Sequence, residues 1–368
     1  MKVLVTGSNG FIGKNLVVKL KEKNNHQVIS IDKESSKEEL KKAVLESEFI
    51  FHLAGVNRTV NVKDFFSENS SLTQYITEIL KVANKKTPIL ITSSIQAELE
   101  NDYGKSKRLA EEALIEYRGN TGANVFIYRL PNVFGKWCKP NYNSVVATFC
   151  YNISRNKEIF ISDVNKELTL VYIDDVVRCF IEAMETKNIL SGFNRIDREY
   201  KVTLGNLADK IKTFKNIGST KVMINLSDEF TKVLYSTYLS YLKEDLFLYN
   251  LEKKEDDRGW LAEIIKSKEF GQIFISKTKP GVTRGNHYHH TKVEKFIVLQ
   301  GIAHINLRHI LKGDIISYKV NEKDLSVIDI PPGYTHSITN VGEEELIVLF
   351  WANEIFNKDK PDTFFDKV

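Results

Sequence analysis

Cysteine is scarce in this chain, and long apolar runs are missing. The 368 residues include only Cys138, Cys150 and Cys179, an odd set without the spacing of a metal or redox motif. This excludes a disulfide-stabilised scaffold and predicts buried thiols in a reducing compartment. No apolar segment is long enough to cross a bilayer, and no signal-peptide core precedes the first predicted strand. We therefore expect a cytoplasmic protein with no membrane partner.

A strong excess of one charge sign is also lacking. Lysine and arginine total 52 against 48 acidic residues, so the formal net charge is only +4. The basic residues are scattered rather than clustered, which argues against a nucleic-acid partner. Hydrophobic residues make up 42% of the chain, as in ordinary globular proteins, and the length is typical of two or three domains.

The first 135 residues alternate short apolar segments with amphipathic ones. This pattern predicts β-strands at residues 3–5, 28–31, 49–52, 89–92 and 125–128, and helices at residues 15–23, 72–84 and 106–117. Strands that alternate with helices predict a doubly wound α/β domain with a parallel sheet, of the Rossmann type. Residues 136–245 are less regular, and we expect them to form a smaller substrate lobe.

A glycine-rich turn follows the first predicted strand. Gly7 permits the turn, Gly10 lets the backbone approach a pyrophosphate, and Gly13 lets the next helix pack closely on the strand. The N–H groups at the start of that helix favour an anion. These features predict a dinucleotide site that also includes Asn9, Phe11 and Ile12.

The sequence leaves the 2′ substituent of that dinucleotide open. Asp32 follows the second predicted strand, where a carboxylate bonds a ribose 2′-hydroxyl and favours NAD, although it also suits a plain turn. Lys33 beside it and Arg58 after the next strand would instead neutralise a 2′-phosphate.

Tyr103 and Lys107 stand four residues apart at the start of a predicted helix and therefore share one face. We expect the ammonium to lower the pKa of the phenol toward the working range of a general acid. Ser93 and Ser94 end the preceding strand and are placed to bond a substrate carbonyl. One of them, Ser94 in our assignment, completes the catalytic set.

These motifs resemble the extended short-chain dehydrogenase/reductases that act on nucleotide sugars, over about residues 1–180. The matching segments lie at residues 6–13, 52–55, 92–94, 129–135 and 172–175. The resemblance implies hydride transfer at a sugar carbon, with Tyr103 as the acid and Lys107 on the nicotinamide ribose. It also implies NADP(H) as the cofactor, contacts to it from Leu53, Ala54 and Gly55, and a substrate contact from Asn132.

The pattern changes after Trp260 to short strands and turns. Strands are predicted at residues 271–276, 294–299 and 345–351, which is typical of an all-β barrel or sandwich. We interpret the charged segment 251–259 as a linker. The predicted domains are therefore residues 1–250 and 251–368.

Three histidines and a glutamate lie within eight positions at residues 287–294, and His336 follows a Pro-Pro-Gly turn further on. Imidazole and carboxylate ligands together suit a divalent transition metal such as zinc. Their spacing resembles the two motifs of the cupin double-stranded β-barrel. The matching residues are Gly281, His287, His289, Glu294 and Gly301, then Pro331, Gly333, His336 and Asn340.

Residues 255–263 and 283–287 resemble the RmlC-like deoxysugar epimerases of the cupin class, which invert carbons next to a 4-keto group. That resemblance implies His287 as the base and Arg284 as the group that holds a diphosphate or an oxyanion. Lys295 is an approximate match to a further catalytic lysine.

If His287 is the base, other residues must hold the metal. Strand alternation places His290, Glu294 and Gln300 on one side, and with His336 they form our preferred ligand set. The literal cupin spacing instead gives His287, His289, Glu294 and His336. A barrel with surface histidines and no metal is the third alternative.

Together the two halves resemble bifunctional nucleotide-sugar enzymes of capsular polysaccharide biosynthesis. This implies C3 epimerisation of a UDP-2-acetamido-2,6-dideoxy-hexos-4-ulose in the barrel. NADPH-dependent C4 reduction would then give UDP-N-acetyl-6-deoxy-L-talosamine, a precursor of UDP-N-acetyl-L-fucosamine. We expect a homodimer, because both kinds of domain commonly pair. The alternative function is a reductase regulated by a non-catalytic, metal-binding barrel.

Overall fold

The computed structural model describes residues 1–186 and 189–368. The described chain divides into two compact units, one of Met1–Ile211 with Lys232–Lys243, the other of Lys212–Thr231 with Glu244–Val368. Residues 212–231 thus belong to the second unit, whereas the sequence predicts one division after residue 250. They join it by backbone pairing: Met223 N donates to Lys266 O at 2.7 Å, and Lys266 N donates to Lys221 O at 2.8 Å.

Strands and helices alternate along the first unit. Its strands are β1 (Lys2–Thr6), β2 (Gln27–Ile31), β3 (Phe49–His52), β4 (Ile89–Ser94), β5 (Val125–Leu130), β6 (Asn132–Phe134), β7 (Glu167–Tyr172), β8 (Gly192–Asn194) and β9 (Tyr200–Thr203). Its helices are α1 (Phe11–Glu22), α2 (Lys37–Glu46), α3 (Val62–Phe65), α4 (Leu72–Val82), α5 (Asp102–Thr121), α6 (Val145–Ser154) and α7 (Ile173–Glu185). Helices α8 (Leu204–Thr220) and α9 (Glu229–Leu239) each begin in one unit and end in the other. A π-helical turn, Phe66–Ser71, precedes α4, and a 3₁₀ turn, Ile95–Glu98, follows β4.

The main sheet of this unit is parallel, in the order β2-β1-β3-β4-β5-β8. Its strands are apolar on both faces: Val3 and Val5 pack into one core with α1 and α7, and Leu4 packs into the other with α2, α4 and α5. The predicted doubly wound α/β fold is confirmed, because continuous apolar strands need helices on both faces. None of the helices in the described ranges combines the length and apolarity that a bilayer span requires.

The second unit is built from antiparallel strands. They are β10 (Lys253–Asp256), β11 (Gly259–Ser267), β12 (Gly271–Thr278), β13 (Thr283–Tyr288), β14 (Glu294–Gln300), β15 (Ile302–His309), β16 (Ile315–Asn321), β17 (Val327–Ile330), β18 (Tyr334–Asn340), β19 (Leu346–Ala352) and β20 (Phe364–Phe365). They form two sheets, ordered β10-β11-β12-β19-β14-β17 and β16-β15-β18-β13-β20. Apolar side chains of both sheets share one core, and the predicted all-β domain is confirmed.

The sequence predicted that the charged segment 251–259 is a linker, and the structure contradicts this. Residues Lys253–Asp256 form β10, which pairs antiparallel with β11 so that Glu255 lies opposite Trp260. All four residues of β10 are exposed, because the strand lies at the edge of its sheet. Charged side chains are common on edge strands, and this composition resembles that of a linker.

Candidate functional site

The turn between β1 and α1 brings glycines into close backbone contact. Gly7 has a φ of +65°, and a Cβ there would lie 2.7 Å from the backbone nitrogen of Ala54. A Cβ on Gly13 would lie 2.2 Å from the carbonyl oxygen of Gly7. Glycine is therefore required at both positions, for the turn and for close packing of the helix.

The N-terminus of α1 carries no competing group. Gly10 is the N-cap, no side chain caps the first N–H groups, and the first turn holds no acidic residue. Asn9 belongs to the turn, and Phe11 and Ile12 begin the helix. Because a helix N-terminus attracts anions, these residues fit the diphosphate of a dinucleotide.

Asp32 lies directly after β2, and both of its carboxylate oxygens are engaged. One accepts a hydrogen bond from the side-chain amide of Asn9, and the other accepts from Glu34 N at 2.9 Å. The Lys33 side chain is exposed, with its ammonium 3.6 Å from the Glu34 carboxylate. Arg58 donates to the carbonyl oxygen of Tyr142 at 2.8 Å.

The segment after β3 connects the glycine turn with α5. Ala54 N donates to Thr6 Oγ1 at 3.2 Å. A Cβ on Gly55 would lie 3.2 Å from the ammonium nitrogen of Lys107. Leu53, which precedes them, donates its backbone N–H to Thr6 O at 3.3 Å. The structure therefore joins the predicted cofactor segment to the predicted catalytic helix.

Tyr103 lies in the first turn of α5, which the side chain of Asn101 caps by accepting a backbone N–H at 2.7 Å. Ser94, at the end of β4, is the serine whose side chain lowers the pKa of Tyr103. Ser93 instead donates to the carboxylate of Glu111, which is buried. Of the two candidate serines, Ser94 is therefore the one beside the phenol.

Burial governs the pKa of both groups of the Tyr-Lys pair. It raises the pKa of Tyr103, and the hydrogen bond with Ser94 offsets only part of that effect. Burial also lowers the pKa of Lys107 to about 8, against the opposing charge of Glu111. Lys107 Nζ donates to Thr92 O at 3.1 Å. The expectation that Lys107 lowers the pKa of Tyr103 is therefore wrong for this structure, and the phenol stays protonated at neutral pH.

Asn132, the predicted substrate contact, lies in β6 with an exposed side chain. Its amide donates to the carbonyl oxygen of Thr169 at 3.2 Å. A role in substrate binding stays a prediction.

Four side chains of the second unit converge on one point. His287 lies in β13, His289 follows that strand directly, Glu294 begins β14, and His336 lies in β18. One donor atom from each lies within 4.8 Å of the other three. The Nε2 atoms of His289 and His336 lie 3.4 and 3.3 Å from the same oxygen, Glu294 Oε2.

The other nitrogen of each of these two rings faces a backbone carbonyl. His289 Nδ1 contacts the carbonyl oxygen of Asp362, and His336 Nδ1 lies 3.4 Å from that of Tyr334. A carbonyl only accepts, so each Nδ1 carries a proton, and the Nε2 atom of each ring faces Glu294. His289 Nε2 is buried without a hydrogen-bond partner, and the Nε2 atoms of both rings face one carboxylate oxygen, as ligand atoms around a shared cation do. This donor set fits a divalent transition metal.

The protonation states of the cluster agree with that chemistry. Burial, then the neighbouring His336, lowers the pKa of His287 to about 4. Burial raises the pKa of Glu294, but its contacts with His289 and His336 outweigh this and hold it well below its usual range. A neutral imidazole and an ionised carboxylate are the forms that bind a metal.

The structure does not bring His290 and Gln300 to this cluster, which corrects our preferred ligand set. Strand β13 ends at Tyr288, and the turn that follows breaks the alternation counted from His290 to Glu294. The His290 ring is exposed and packs against Tyr288. Gln300 follows a register shift in β14 and is also exposed. The literal cupin spacing describes the observed cluster.

Lys295 also lies away from the cluster. Neighbouring residues of a strand point to opposite faces, so Lys295 faces outward where Glu294 faces inward. Its ammonium pairs with the carboxylate of Asp329. The lysine near the cluster is the buried Lys292, whose charge contributes to the lowered pKa of His287.

Arg284 shares a carboxylate with a second arginine. Arg284 Nη2 lies 3.7 Å from Asp256 Oδ1 and has no hydrogen-bond partner, while Arg284 Nε donates to Thr278 Oγ1 at 3.0 Å. Arg258 donates to the other oxygen of Asp256. Burial, then Arg258, lowers the pKa of Arg284. Two guanidinium groups on one carboxylate leave a positive charge that favours an anion.

Sequence reasoning missed Asp362, which supports the cluster from the C-terminal segment. Its carboxylate accepts backbone N–H bonds from His290, Thr291 and Lys292, and its carbonyl oxygen holds His289. It lies 73 residues from His289 along the chain. No local motif marks this pairing, because only the fold brings the two segments together.

Family models match both units of the chain. The NAD dependent epimerase/dehydratase family matches residues 3–194, and the polysaccharide biosynthesis C-terminal domain matches residues 254–364. The UDP-2-acetamido-2,6-beta-L-arabino-hexul-4-ose reductase of Pseudomonas aeruginosa is 44% identical over 364 residues. These cover 99% of this chain and 98% of that protein.

Solved structures give the same result. The capsular polysaccharide assembling protein CapF from Staphylococcus aureus matches with a TM-score of 0.92 and 44% identity over 100% of both chains. A UDP-glucuronic acid 4-epimerase from Bacillus cereus matches 59% of this chain and 84% of its own, with a TM-score of 0.53 at 20% identity, which bears on the fold alone. The chain therefore belongs to the NAD dependent epimerase/dehydratase family, among its CapF-like members with a polysaccharide biosynthesis C-terminal domain.

Proposed function

We propose that the first unit reduces the C4 ketone of a UDP-linked 2-acetamido-2,6-dideoxy-hexulose with NADPH. The observation that carries this proposal is the position of Tyr103 and the buried Lys107 on one helix, with the Lys107 ammonium against Gly55 of the predicted cofactor segment. The name of the Pseudomonas aeruginosa relative, a reductase of a UDP-linked hexul-4-ose, supports the substrate class.

The chemistry follows from the proton that Tyr103 holds. A bound nicotinamide supplies the hydride that reaches C4. The ketone oxygen then gains negative charge and takes the hydroxyl proton of Tyr103, while Ser94 donates a hydrogen bond to the same oxygen. Lys107 would hold the nicotinamide ribose, as the family resemblance implies. The product is an alcohol at C4.

We propose further that the second unit inverts C3 of the same sugar before reduction. The 4-keto group makes the C3 proton acidic, and the pair of Arg258 and Arg284 supports binding of a diphosphate. His287, His289, Glu294 and His336 would hold a zinc ion, which polarises a carbonyl oxygen when bound. The predicted role of His287 as base competes with its role as ligand, because a metal-bound imidazole has no free lone pair.

The experiment that tests both proposals combines the protein, NADPH and the keto-sugar nucleotide in deuterated water. We expect NADPH oxidation, an alcohol at C4 and one deuterium at C3, detected by NMR and mass spectrometry. A product reduced at C4 without deuterium at C3 would favour the alternative in which the barrel binds metal but does not catalyse. Absence of NADPH oxidation with active substrate would refute the reductase proposal.

Three finer features also stay proposals. NADPH is proposed over NADH because the Lys33 ammonium is exposed while both Asp32 oxygens are engaged, and the ratio of kcat/KM for the two cofactors tests this. A homodimer is proposed on the family resemblance, and sedimentation should then give twice the chain mass of 42.3 kDa. A cytoplasmic location agrees with three free cysteines, and cell fractionation tests it.

A further inference from the structure

A buried chain of hydrogen bonds runs through the first unit from β1 to α4. His52 stands at its centre, at the end of β3. Its Nδ1 lies 2.8 Å from Thr6 Oγ1, and its Nε2 lies 2.9 Å from Thr73 Oγ1. His52, Thr6 and Thr73 are each 1% exposed, so solvent does not replace any of these bonds.

The acceptor at one end of this series of hydrogen bonds fixes which atom donates in each bond. Thr73 Oγ1 lies 2.7 Å from the carbonyl oxygen of Asn69, which only accepts, so the threonine hydrogen points there. His52 Nε2 must then donate to Thr73. The other ring nitrogen, Nδ1, has no proton and accepts from Thr6. Burial, then the charge of Lys107, lowers the pKa of His52 to about 3, in agreement with a neutral ring.

Both ends of this chain hold elements of the proposed reductase site. Thr6 Oγ1 accepts the backbone N–H of Ala54, in the predicted cofactor segment. At the other end, the Asn69 side chain accepts from Val56 N and donates to Val56 O, both at 3.0 Å. Its amide also donates to Ser106 Oγ at 3.0 Å. Ser106 precedes Lys107 and in turn donates to the carbonyl oxygen of Tyr103 at 2.8 Å.

We propose that His52 is a positioning residue of the reductase, in a single Nε2–H tautomer. Through Thr6 it holds the cofactor segment, and through Thr73 and Asn69 it holds the helix turn that carries Tyr103 and Lys107. The inference rests on the proposed reductase function. The His52 ring is 1% exposed and out of reach of a substrate, so His52 acts only through the groups that it orients.

Two substitutions of His52 each remove one of its two hydrogen bonds and keep the other. His52→Asn keeps an acceptor at the δ position for Thr6 but loses the donor to Thr73. His52→Gln keeps a donor at the ε position for Thr73 but loses the acceptor for Thr6. His26→Asn is the matched control, because His26 is also largely buried in this unit but pairs with Glu185.

The measurements are the dissociation constant of NADPH, by fluorescence titration, and kcat for reduction. We expect His52→Asn to bind NADPH like the wild type with kcat reduced about 10- to 100-fold, since small misplacement of catalytic groups has effects of that order. We expect His52→Gln to show the reverse, a weakened affinity for NADPH with kcat nearer the wild-type value. His26→Asn should change neither quantity.

The crossed pattern distinguishes positioning from plain loss of stability. If both variants lose affinity and kcat together, in step with a lower melting temperature, or if neither variant changes, the inference is refuted. Failure of the wild type to oxidise NADPH with the keto sugar would refute the reductase proposal instead. In that case the two NADPH dissociation constants still test the Thr6 end of the chain.

Discussion

At the residue scale, the hydroxyl of Tyr103 separates the two proposed activities. Tyr103→Phe removes the proton donor for the C4 oxygen, and general acid catalysis typically contributes about 10²–10⁴-fold. We expect a loss of NADPH oxidation of that size, with deuterium exchange at C3 retained, because the two units have separate cores. Tyr75→Phe, on the exposed side of α4, is the matched control and should leave both activities unchanged. A parallel loss of exchange and reduction in Tyr103→Phe would contradict this division of labour.

The pKa of Lys107 predicts how the reductase responds to pH. Burial lowers that pKa to about 8, so the ammonium is charged below this pH and loses its charge as the pH rises through it. We expect kcat/KM, which reports the free enzyme, to fall above about pH 8. Tyr103 does not cause this fall, because its pKa is raised and the phenol stays protonated in this range. A flat profile from pH 7 to pH 9.5 would show that the charge of Lys107 is not needed.

We expect substitutions of the neighbouring residues His289 and His290 to have opposite effects on metal binding. His289→Asn removes a lone pair from the cluster and should reduce bound metal, whereas His290→Asn changes an exposed ring and should keep it. The two variants control for each other, since the same substitution is made one residue apart. Elemental analysis and chelator competition measure the metal. A metal-loaded His289→Asn protein, or a metal-free wild type, would refute the proposed site.

At the element scale, the sequence predicted the first five strands of the first unit and three of its helices, but few of the strands of the second unit. Strands β1 to β5 were predicted from short apolar segments and helices α1, α4 and α5 from amphipathic ones, and all lie at or near the predicted positions. The predicted ligand set with His290 and Gln300 was wrong, because side chains alternate between the two faces only within one uninterrupted strand. The turn after Tyr288 and the bulge in β14 each reset it, and neither leaves a mark in composition.

The turn between β13 and β14 depends on a residue from the far end of the chain. The Asp362 carboxylate accepts three backbone N–H bonds from that turn. Burial raises the pKa of Asp362, but these bonds outweigh burial and hold the pKa well below its usual range. Asp362→Asn replaces one acceptor oxygen with a donor and should release the turn and the His289 ring. Groups that orient a ligand typically contribute about 10–100-fold to metal affinity, so we expect a loss of that order in chelator competition.

Asp359→Asn is the control for this substitution, because Asp359 lies in the same segment and its side chain is exposed. We expect its metal affinity to equal that of the wild type. Equal affinity in Asp362→Asn would mean that the strands of the second unit alone orient His289. Unfolding of the NADPH-binding unit, measured separately, should be unchanged in both variants.

At the scale of the whole molecule, the sequence indicated two units by a change from alternating strands and helices to short strands and turns. The glycine turn and the histidine motifs belong to different fold classes, and each predicted its own unit. The sequence did not predict that residues 212–231 belong to the second unit. The backbone hydrogen bonds of Lys221 and Met223 with Lys266 hold them there, and no side-chain pattern marks such bonds. Long-range backbone pairing of this kind is set by the assembled fold.

Two separate cores predict that each ligand stabilises its own unit. A ligand that binds only the native state raises stability by about 2.7 kcal/mol at 100 times its dissociation constant. NADPH should therefore raise the unfolding temperature of the first unit alone. Removal of metal by a chelator should lower that of the second unit alone, since ligands on β13, β14 and β18 cross-link its two sheets. Calorimetry with each ligand added or removed in turn measures both transitions, and Glu294→Gln serves as the control that a chelator should no longer affect. A single transition that shifts with either ligand would show that the two units unfold as one.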